Sequence, residues 1–339
     1  MTTRITCPLC TREVAFTHTE THIDPKSGKE YKLFHCSACT GGFWEPLKNP
    51  GGAWYEHDER YADRNKNPIL DANWNHRKVL SFLAPRAGSV LDVGCGVGNF
   101  LAYAESRGWK GTGIDFDRDA IDAGKKTFGL QNLFVSDIHT FAKANTQKRY
   151  DLVTFFDVLE HIDDHAAFMT AVRDFLAAGG HIAISVPYGA HAKFLMPADV
   201  PPRHLTRWNE KSITQFLNHF GFHMTYMKRT PASIRFIILK LRFKFGKSVS
   251  MGLVQKTAVK AGSGSHAVRT VSFLAKVKDT VLFGIPAVCI WLYLLPSRRR
   301  YIGLYVLARL RQTPACADAS AGRSDGQARS VSSGSSHGV

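Results

Sequence analysis

The chain has 339 residues, of which 44% are hydrophobic, and this length and composition argue against a chain without a folded core. The formal net charge of +16 is unevenly placed, since residues 1–200 carry 22 Lys and Arg against 24 Asp and Glu, whereas residues 201–339 carry 22 against 4. The C-terminal part therefore holds all of the excess positive charge, which is typical of a region that meets nucleic acid, anionic lipid or an acidic substrate.

The N-terminal residues predict a small metal-binding module. They lack the apolar stretch and cleavage site of a signal peptide, so we expect this part to stay in the cytoplasm, where thiols remain reduced. Two Cys-x2-Cys pairs separated by 25 residues are typical of a tetrahedral Zn²⁺ site: Cys7, Cys10, Cys36 and Cys39. We predict a zinc ribbon over residues 1–46, with a hairpin that turns at residues 24–29. Its role is either purely structural or also one in binding substrate or nucleic acid.

The next two regions differ in their pattern. Residues 47–78 are polar and aromatic and predict a linker and lid helix, with Tyr55, Tyr61 and Arg77 as candidate contacts to a cofactor or substrate. Residues 79–230 alternate between helix and strand, which is typical of a parallel sheet covered on both faces. The predicted strands are residues 89–94, 110–115, 132–137, 150–156, 180–187 and 222–230. The region is therefore predicted to be an α/β domain.

A glycine-rich turn follows the first of these strands in the stretch VLDVGCGVGNF. Asp92 precedes Gly94, Gly96 and Gly98, whereas dinucleotide-binding folds typically show G-x-G-x-x-G. An acid immediately before the glycines disfavours a pyrophosphate and favours a cationic ligand such as S-adenosylmethionine. A simple tight turn is the alternative when the loop is considered alone.

The stretch resembles motif I of class I S-adenosylmethionine-dependent methyltransferases, and the motifs after it appear in that family's order. The resemblance covers residues 75–230 and implies a doubly wound, mostly parallel seven-stranded sheet with S-adenosylmethionine as cofactor. It implies that Asp115 accepts hydrogen bonds from the ribose hydroxyls and that Asp137 binds the adenine amino group. It also places Ile138 and Phe156 in the cofactor site.

Candidate catalytic residues follow the fourth strand in FFDVLEHIDDH. Asp157, Glu160 and His161, with the distant His204, resemble the Glu-x-x-Glu-His and His metal set of ubiquinone-pathway and small-RNA 2′-O-methyltransferases. That resemblance implies Mg²⁺ or Mn²⁺ at the acceptor oxygen, although Asp157 replaces the first Glu and has a shorter reach. A metal-free general base, His161 or His204, and a structural role are the alternatives.

The C-terminal part separates into a basic, apolar extension at residues 231–312 and a low-complexity tail at residues 313–339, which we expect to be disordered. Residues 280–295 are uncharged but too short as a helix to cross a bilayer, and Pro286 is expected to interrupt them. Arg298, Arg299 and Arg300 follow and favour the inner face of a membrane. A helical cap or dimer face is the alternative, and nucleic acid is the least favoured partner.

The sequence thus predicts a cytoplasmic methyltransferase whose C-terminal part favours the inner face of a membrane and whose acceptor is a glycan, glycolipid or quinone-like molecule, methylated on oxygen. A sugar C-methyltransferase is the enzymatic alternative. A non-catalytic adaptor that binds RNA or protein through the ribbon is an alternative of another class.

Overall fold

The computed structural model describes residues 5–52, 54, 73–84, 87–242, 244–245 and 280–311. Predictions for the other residues, which include Tyr55, Tyr61 and the tail at 313–339, lie outside the described residues.

The N-terminal module consists of five short strands: β1 Ile5–Thr6, β2 Glu13–Val14, β3 Phe16–Ile23, β4 Glu30–Cys36 and β5 Gly42–Glu45. β3, β4 and β5 form an antiparallel sheet, and β1 pairs with β2. The predicted hairpin turn forms between β3 and β4. There Asp24 accepts hydrogen bonds from Ser27, and Gly28 has a φ of +71°, which favours glycine.

A seven-stranded sheet forms the centre of the molecule, with strands β6 Ser89–Val93, β7 Lys110–Asp115, β8 Leu133–Val135, β9 Tyr150–Phe156, β10 Leu176–Pro187, β12 Phe222–Pro231 and β13 Tyr301–Leu310. The order is β12-β13-β10-β9-β6-β7-β8, and the five strands from β10 to β8 are parallel. β9 and β6 are mostly buried apolar runs, as expected for parallel strands covered on both faces. The predicted seven-stranded, mostly parallel fold is confirmed.

Six helices accompany these strands: α1 Trp74–Leu83, α2 Asn99–Glu105, α3 Arg118–Phe128, α4 Ile138–Ala144, α5 His165–Asp174 and α6 Glu210–His219. α3 shows how the sequence sets their ends. The side chain of Asp117 accepts a hydrogen bond from the amide of Ala120 at the first turn, and Gly129 ends the helix at a φ of +70°. α2 follows β6 after the glycine turn, and α3 follows β7 closely, so both helices begin near strand ends that carry predicted cofactor residues.

β13, the strand that comes last in the chain, belongs to a segment that the sequence analysis assigned to the C-terminal extension. β13 lies between β10 and β12 and is antiparallel to both, with Ile184 opposite Val306 and Met227 opposite the same residue. The domain boundary predicted at residue 230 therefore does not separate the sheet from the extension. Leu304 and Val306 pack into one core cluster and Tyr305 and Leu307 into another, so both faces of this run are covered, which its own local pattern does not reveal.

The extension also contributes two helical segments, α7 at residues 234–242 and α8 at Ile285–Leu294. A π-helical turn at Thr280–Gly284 leads directly into α8, and Pro286 lies in the first turn of α8, where its missing N–H costs nothing. The helical run therefore changes from π to α geometry one residue before the proline. Ala287 and Leu294 of α8 pack on Ala232 and Ile237, while the opposite side of α8 is exposed. Among the described residues, no helix has the length and apolarity needed to span a membrane.

The N-terminal module and the central sheet share one hydrophobic core. Leu9, Cys36 and Cys39 are buried in the same cluster as Ile213 and Phe216 of α6. A short strand, β11 Thr206–Arg207, leaves the central domain and pairs with β5 of the module. The module is therefore built onto the methyltransferase-like domain at the segment that contains His204.

Candidate active site

The glycine-rich turn after β6 has the backbone conformation that its glycines predict. Gly94, Gly96 and Gly98 have φ values of +71°, +53° and +79°, a region that other residues rarely adopt. A Cβ at Gly94 would lie 2.5 Å from the Cγ2 of Val158, and one at Gly98 would lie 2.5 Å from the Cδ1 of Leu130. The turn therefore needs glycine for its conformation and for its close packing.

Asp115 ends β7 beside this turn and holds it in place. Its Oδ2 accepts a hydrogen bond from the amide of Gly96 at 2.7 Å, and its Oδ1 accepts one from the amide of Asp117 at 2.9 Å. The side chain lines the cavity described below, and each carboxylate oxygen has lone-pair capacity beyond one bond. This position agrees with the predicted contact to ribose hydroxyls, which stays a prediction.

Asp92 lies beneath the turn, and it is only 3% exposed. Its Oδ1 accepts a hydrogen bond of 2.6 Å from the hydroxyl of Thr154 on β9. Burial raises the pKa of Asp92 to about 7, and the carboxylate of Asp115 adds to this rise, while the Thr154 hydrogen bond opposes it. A cationic ligand in the cavity would favour the charged form, so the raised pKa is compatible with the predicted role in binding S-adenosylmethionine.

Asp137 and Ile138 lie where β8 leads into α4. The Oδ1 of Asp137 accepts hydrogen bonds from the amides of His139 and Thr140, so the residue is the N-cap of α4. Burial raises its pKa, but the hydrogen bonds from Thr140 and His139 outweigh burial and hold the pKa below its usual value. Asp137 is thus charged, and both residues line the cavity as predicted for an adenine site.

One cavity of about 980 Å³ joins the predicted cofactor residues to the predicted catalytic residues. Among its lining residues are Gly94, Asp115, Asp137, Ile138, Phe156, Asp157, Glu160, His161 and His204. The volume is at the upper end of the roughly 300–1,000 Å³ typical of ligand pockets, which leaves room for a nucleoside cofactor and an acceptor. The glycine turn, the two carboxylates and the volume all fit S-adenosylmethionine.

Glu160, His161 and His204 meet in this cavity. One potential ligand atom from each residue lies within 4.8 Å of the other two. Glu160 is fully buried, and neither of its carboxylate oxygens has a hydrogen-bond partner among the described residues. Burial and the nearby carboxylate of Asp157 raise the pKa of Glu160 well above its usual value. A buried carboxylate without a donor is costly, and a cation held by the three side chains would remove that cost.

The two imidazoles are oriented by hydrogen bonds at the nitrogen that faces away from the cluster. The Nδ1 of His161 donates to the carbonyl of Arg203 at 2.7 Å, and the Nδ1 of His204 donates to the Oδ1 of Asp199 at 2.6 Å. Burial, with a smaller contribution from His204, lowers the pKa of His161 to about 3, so the ring is neutral. Such a hydrogen bond at the other ring nitrogen is typical of metal-binding histidines.

Asp157, the fourth predicted residue, lines the same cavity but does not join this group among the described residues. Its Oδ1 accepts a hydrogen bond of 3.0 Å from Ser185, and its amide donates to the carbonyl of Ser185 at 2.8 Å. The φ of Asp157 is +56°, which is uncommon for a residue other than glycine. These bonds tie Asp157 to β10, so three of the four predicted residues come together here.

The segment at residues 199–207 contributes features that the sequence analysis missed. It supplies Asp199 and the carbonyl of Arg203 to the two histidines, and the N-terminal module holds it in place. The amide of Trp44 donates to the carbonyl of Leu205 at 2.9 Å, and the amide of Leu205 donates to the carbonyl of Glu160 at 2.7 Å. The available signal was the acid five residues before His204 in DVPPRH, which matches a carboxylate and histidine pair.

The four predicted zinc ligands form a second cluster, away from this cavity. All four cysteines are buried, and their Sγ atoms lie within 4.8 Å of one another. The Sγ atoms of Cys7 and Cys39 are 3.9 Å apart, and those of Cys10 and Cys36 are 3.7 Å apart. A Zn–S distance of about 2.3 Å in a tetrahedron requires about 3.8 Å between sulfurs, so this cluster fits Zn²⁺.

Comparisons with known proteins agree with this arrangement. A family model described as a methyltransferase domain matches residues 63–226. The ubiquinone biosynthesis O-methyltransferase of Serratia proteamaculans is 34% identical over 116 residues, which are 31% of this chain and 47% of that protein. The protein of the same name from Proteus mirabilis is 26% identical over 207 residues, which are 53% of this chain and 81% of the relative.

The similarity is therefore partial, since the matched part spans about half the length of the Serratia relative. Among solved structures, a SAM-dependent methyltransferase from Archaeoglobus fulgidus is similar with a TM-score of 0.46 at 16% identity, covering 74% of this chain and 100% of that one.

Proposed function

We propose that the chain is a class I S-adenosylmethionine-dependent methyltransferase that methylates an oxygen of a quinone-like acceptor bearing neighbouring hydroxyls, with the help of a divalent cation. The observation that carries the proposal is the meeting of Glu160, His161 and His204 in the cavity that also contains the cofactor-binding residues. A glycan or glycolipid hydroxyl is the second acceptor class.

The reaction is an in-line displacement. The acceptor hydroxyl loses its proton, its oxygen bonds to the methyl carbon, and the bond from that carbon to sulfur breaks and leaves S-adenosylhomocysteine. The chain must hold both reactants in line, and positioning of this kind contributes much of the rate. We assign Asp115 and Asp137 to the ribose and adenine of the donor, with Ile138 and Phe156 against its apolar faces.

We assign Glu160, His161 and His204 to Mg²⁺ or Mn²⁺. When bound, such a cation supplies a positive charge that lowers the pKa of a neighbouring hydroxyl. Asp199 and the carbonyl of Arg203 keep both imidazoles turned so that Nε2 faces the cluster. Without a metal, His161 is the candidate base, and Asp157 remains a candidate catalytic residue on the cavity wall.

The choice of oxygen and of a quinone-like acceptor has two supports. Carboxylate and imidazole ligands suit a cation that binds hydroxyl oxygens. The curated relatives from Serratia proteamaculans and Proteus mirabilis are named ubiquinone biosynthesis O-methyltransferases.

We further assign Zn²⁺ to the four-cysteine cluster, as a structural ion. Four thiolates leave no open coordination position, so no step of the reaction is assigned to this site. The ion stabilises the module that holds the segment with His204.

We also propose that the protein works at the inner face of a membrane. The outer side of α8 exposes Ile285, Leu292 and Tyr293 at 60%, 53% and 80%, and α8 contains no charged residue. Arg298, Arg299 and Arg300 follow it directly and suit anionic lipids. Sedimentation with lipid vesicles tests this part, and a protein that stays in the supernatant with every vesicle composition would contradict it.

The methyl-transfer proposal is tested with the purified full-length chain, S-adenosylmethionine labelled in the methyl group, and 1,2-dihydroxybenzene acceptors with and without an alkyl chain. We expect labelled monomethyl ether, loss of activity after mild chelation, and recovery with Mg²⁺ or Mn²⁺. Glu160→Gln and His204→Gln are expected to lower kcat by at least roughly 100-fold, while S-adenosylmethionine affinity changes little.

The zinc content is measured before and after chelation, so that loss of the cysteine-bound ion is not mistaken for loss of the catalytic one. Lys48→Met serves as a control, because Lys48 also lines the cavity but pairs with Asp163. Full activity in chelator with the zinc retained would reject the divalent cation and leave His161 as the base. Methyl transfer to a sugar carbon with none to oxygen would reject the acceptor class.

A further inference from the structure

A second cavity of about 770 Å³ lies apart from the active-site residues. It is bounded by the segment after β10, by Arg207 of β11 and by the end of α8 with the turn that follows it. The side chains that the argument uses are His191, Lys193, Arg207, Tyr293, Ser297 and Arg299. None of the residues that line it is acidic.

The charges of this second cavity favour an anion. Lys193, Arg207 and Arg299 are cationic, and Glu20 partly neutralises two of them, with its carboxylate 2.9 Å from the Nζ of Lys193 and 3.3 Å from Arg207. Within the part of the chain that the structure describes, the guanidinium of Arg299 has no hydrogen-bond or ion-pair partner. Asp199 also pairs with Arg207, so the three cationic side chains face two carboxylates among the described residues, and the cavity keeps the positive charge of Arg299.

Arg207 provides a second, independent indication. Its side chain is only 11% exposed, and its Nε is a buried donor without a hydrogen bond among the described residues. The Oδ2 of Asp199 lies 3.8 Å from that Nε, which is too far for a hydrogen bond. The Nε of Arg207 thus has an ion-pair partner but no hydrogen bond, and an anion oxygen within reach would supply that bond.

The surroundings identify the kind of anion. Tyr293 lines the cavity and is 80% exposed, and Ile285 and Leu292 continue the apolar surface along α8. A cationic cavity next to an exposed apolar helix matches a molecule with a phosphate at one end and alkyl chains at the other. A small soluble anion would use the cavity but leave the apolar surface of α8 uncovered.

We propose that the second cavity binds the phosphate of an anionic phospholipid, whose acyl region lies against the exposed side of α8. Arg299 and Lys193 contact the phosphate, and Ser297 and the Nε of Arg207 donate hydrogen bonds to it. This site rests on the membrane-apposition part of the proposed function, because it specifies which lipid group the protein recognises. It orients the protein through one defined pocket and not through a diffuse positive patch.

The test uses the full-length chain and vesicles of phosphatidylcholine alone or with 30 mol% phosphatidylglycerol, a composition set by the experiment. We expect sedimentation with the anionic vesicles and little with the neutral ones. Arg299→Gln is compared with Arg298→Gln, because Arg298 is also exposed and adjacent but does not line the cavity.

A diffuse attraction predicts that each Arg variant weakens vesicle binding by the same amount, roughly fivefold. A defined site predicts roughly a further tenfold loss for Arg299→Gln, because a charge-assisted hydrogen bond is lost as well. Lys193→Gln is expected to resemble Arg299→Gln. Equal losses for Arg298→Gln and Arg299→Gln, or equal binding to both vesicle types, would overturn the proposal.

Two further measurements identify other occupants. Inorganic phosphate is titrated at constant ionic strength, and binding to Arg207 and Arg299 without any preference for anionic vesicles would assign the cavity to a soluble phosphate instead. Light scattering without lipid tests for a second copy on α8, and a dimer dissolved by Leu292→Ser would also overturn the lipid assignment.

Methyl transfer to a short soluble acceptor is measured for each variant and is expected to stay unchanged. Its absence in the unmodified protein would contradict the proposed reaction but not this lipid site.

Discussion

The cofactor half and the acceptor half of the active-site cavity differ in how they are assembled. The cofactor half comes from residues 92–138, where consecutive strand and helix units place the glycine turn, Asp115 and Asp137 at neighbouring strand ends. The acceptor half draws Glu160, His204, Phe236 and Ile302 from segments spread over more than a hundred residues. The first half is thus a local construction, and the second is a product of long-range packing.

The long-range packing comes from both flanks of the domain. The N-terminal module holds the segment with His204 through the pairing of β5 with β11, and the C-terminal extension supplies β13 and α7 beside the cavity. The cofactor half takes its glycine turn, Asp115 and Asp137 from the central domain itself. We therefore expect substitutions far from the cavity to affect the transfer of the methyl group more than the binding of its donor.

The largest effect is expected from Cys36→Ser, which removes one of the four thiolates. Structural zinc sites contribute on the order of 10 kcal/mol to the folding of such modules, so the module should lose its zinc and release the segment with His204. A misplacement of about 1 Å at a reacting group can lower the rate roughly 100-fold. We expect at least that loss of methyl transfer, measured with labelled donor, with less than roughly threefold change in S-adenosylmethionine affinity by calorimetry.

Cys289→Ser is the matched control, because Cys289 is an exposed cysteine on α8 and is not among the four clustered thiols. It is expected to retain zinc and activity. If Cys36→Ser loses donor binding together with transfer, the two halves are not separable in the way described. If it loses zinc but keeps full transfer, the module does not position His204.

The same difference explains what the sequence analysis found and what it missed. Asp115 and Asp137 were predicted through the family resemblance, whose motifs place both acids at strand ends soon after the glycine turn. The pairing of Glu160 and His161 with His204 was predicted only through a family resemblance. β13 was missed, because a strand that pairs with β10 and β12 across long sequence separations has no local signal for its partners. Asp199 was missed, because its role depends on the folded path of its segment.

A smaller effect on transfer is expected from Asp199→Asn. The Oδ1 of Asp199 accepts the Nδ1 proton of His204 at 2.6 Å, and the variant keeps an acceptor but loses the negative charge. Loss of such a partner typically weakens metal binding by roughly 10–100-fold. We expect about tenfold weaker Mn²⁺ binding by calorimetry for Asp199→Asn, about 100-fold for Asp199→Ala, and unchanged donor affinity.

Asp163→Asn is the control for this series. Asp163 also lines the cavity, but its partners are Lys48 and Asn49 rather than a histidine. Mn²⁺ affinity should stay within roughly threefold of that of the unmodified protein. Equal Mn²⁺ affinity in Asp199→Ala and in the unmodified protein would show that His204 needs no positioning partner.

The smallest effect is expected in the cofactor half, where Asp92 links donor binding to pH. Burial raises the pKa of Asp92 to about 7, so the carboxyl is mostly protonated at pH 6 and mostly ionised at pH 8. The positive charge of S-adenosylmethionine favours the ionised form, and linkage then requires that donor affinity rises with pH through this window, by up to roughly tenfold. S-adenosylhomocysteine lacks the sulfonium charge, so its affinity should rise less.

Asp92→Asn keeps the acceptor for Thr154 but cannot ionise, and it should bind the donor with little pH dependence and more weakly at pH 8. Cys95 and Asp115 also interact electrostatically with the carboxyl of Asp92. Both groups are present in the unmodified protein and in Asp92→Asn, so subtracting one pH profile of donor affinity from the other removes their contribution. If the pH profiles of the unmodified protein and Asp92→Asn coincide, Asp92 supports only the packing of β6 against β9, and groups that line the cavity hold the cation.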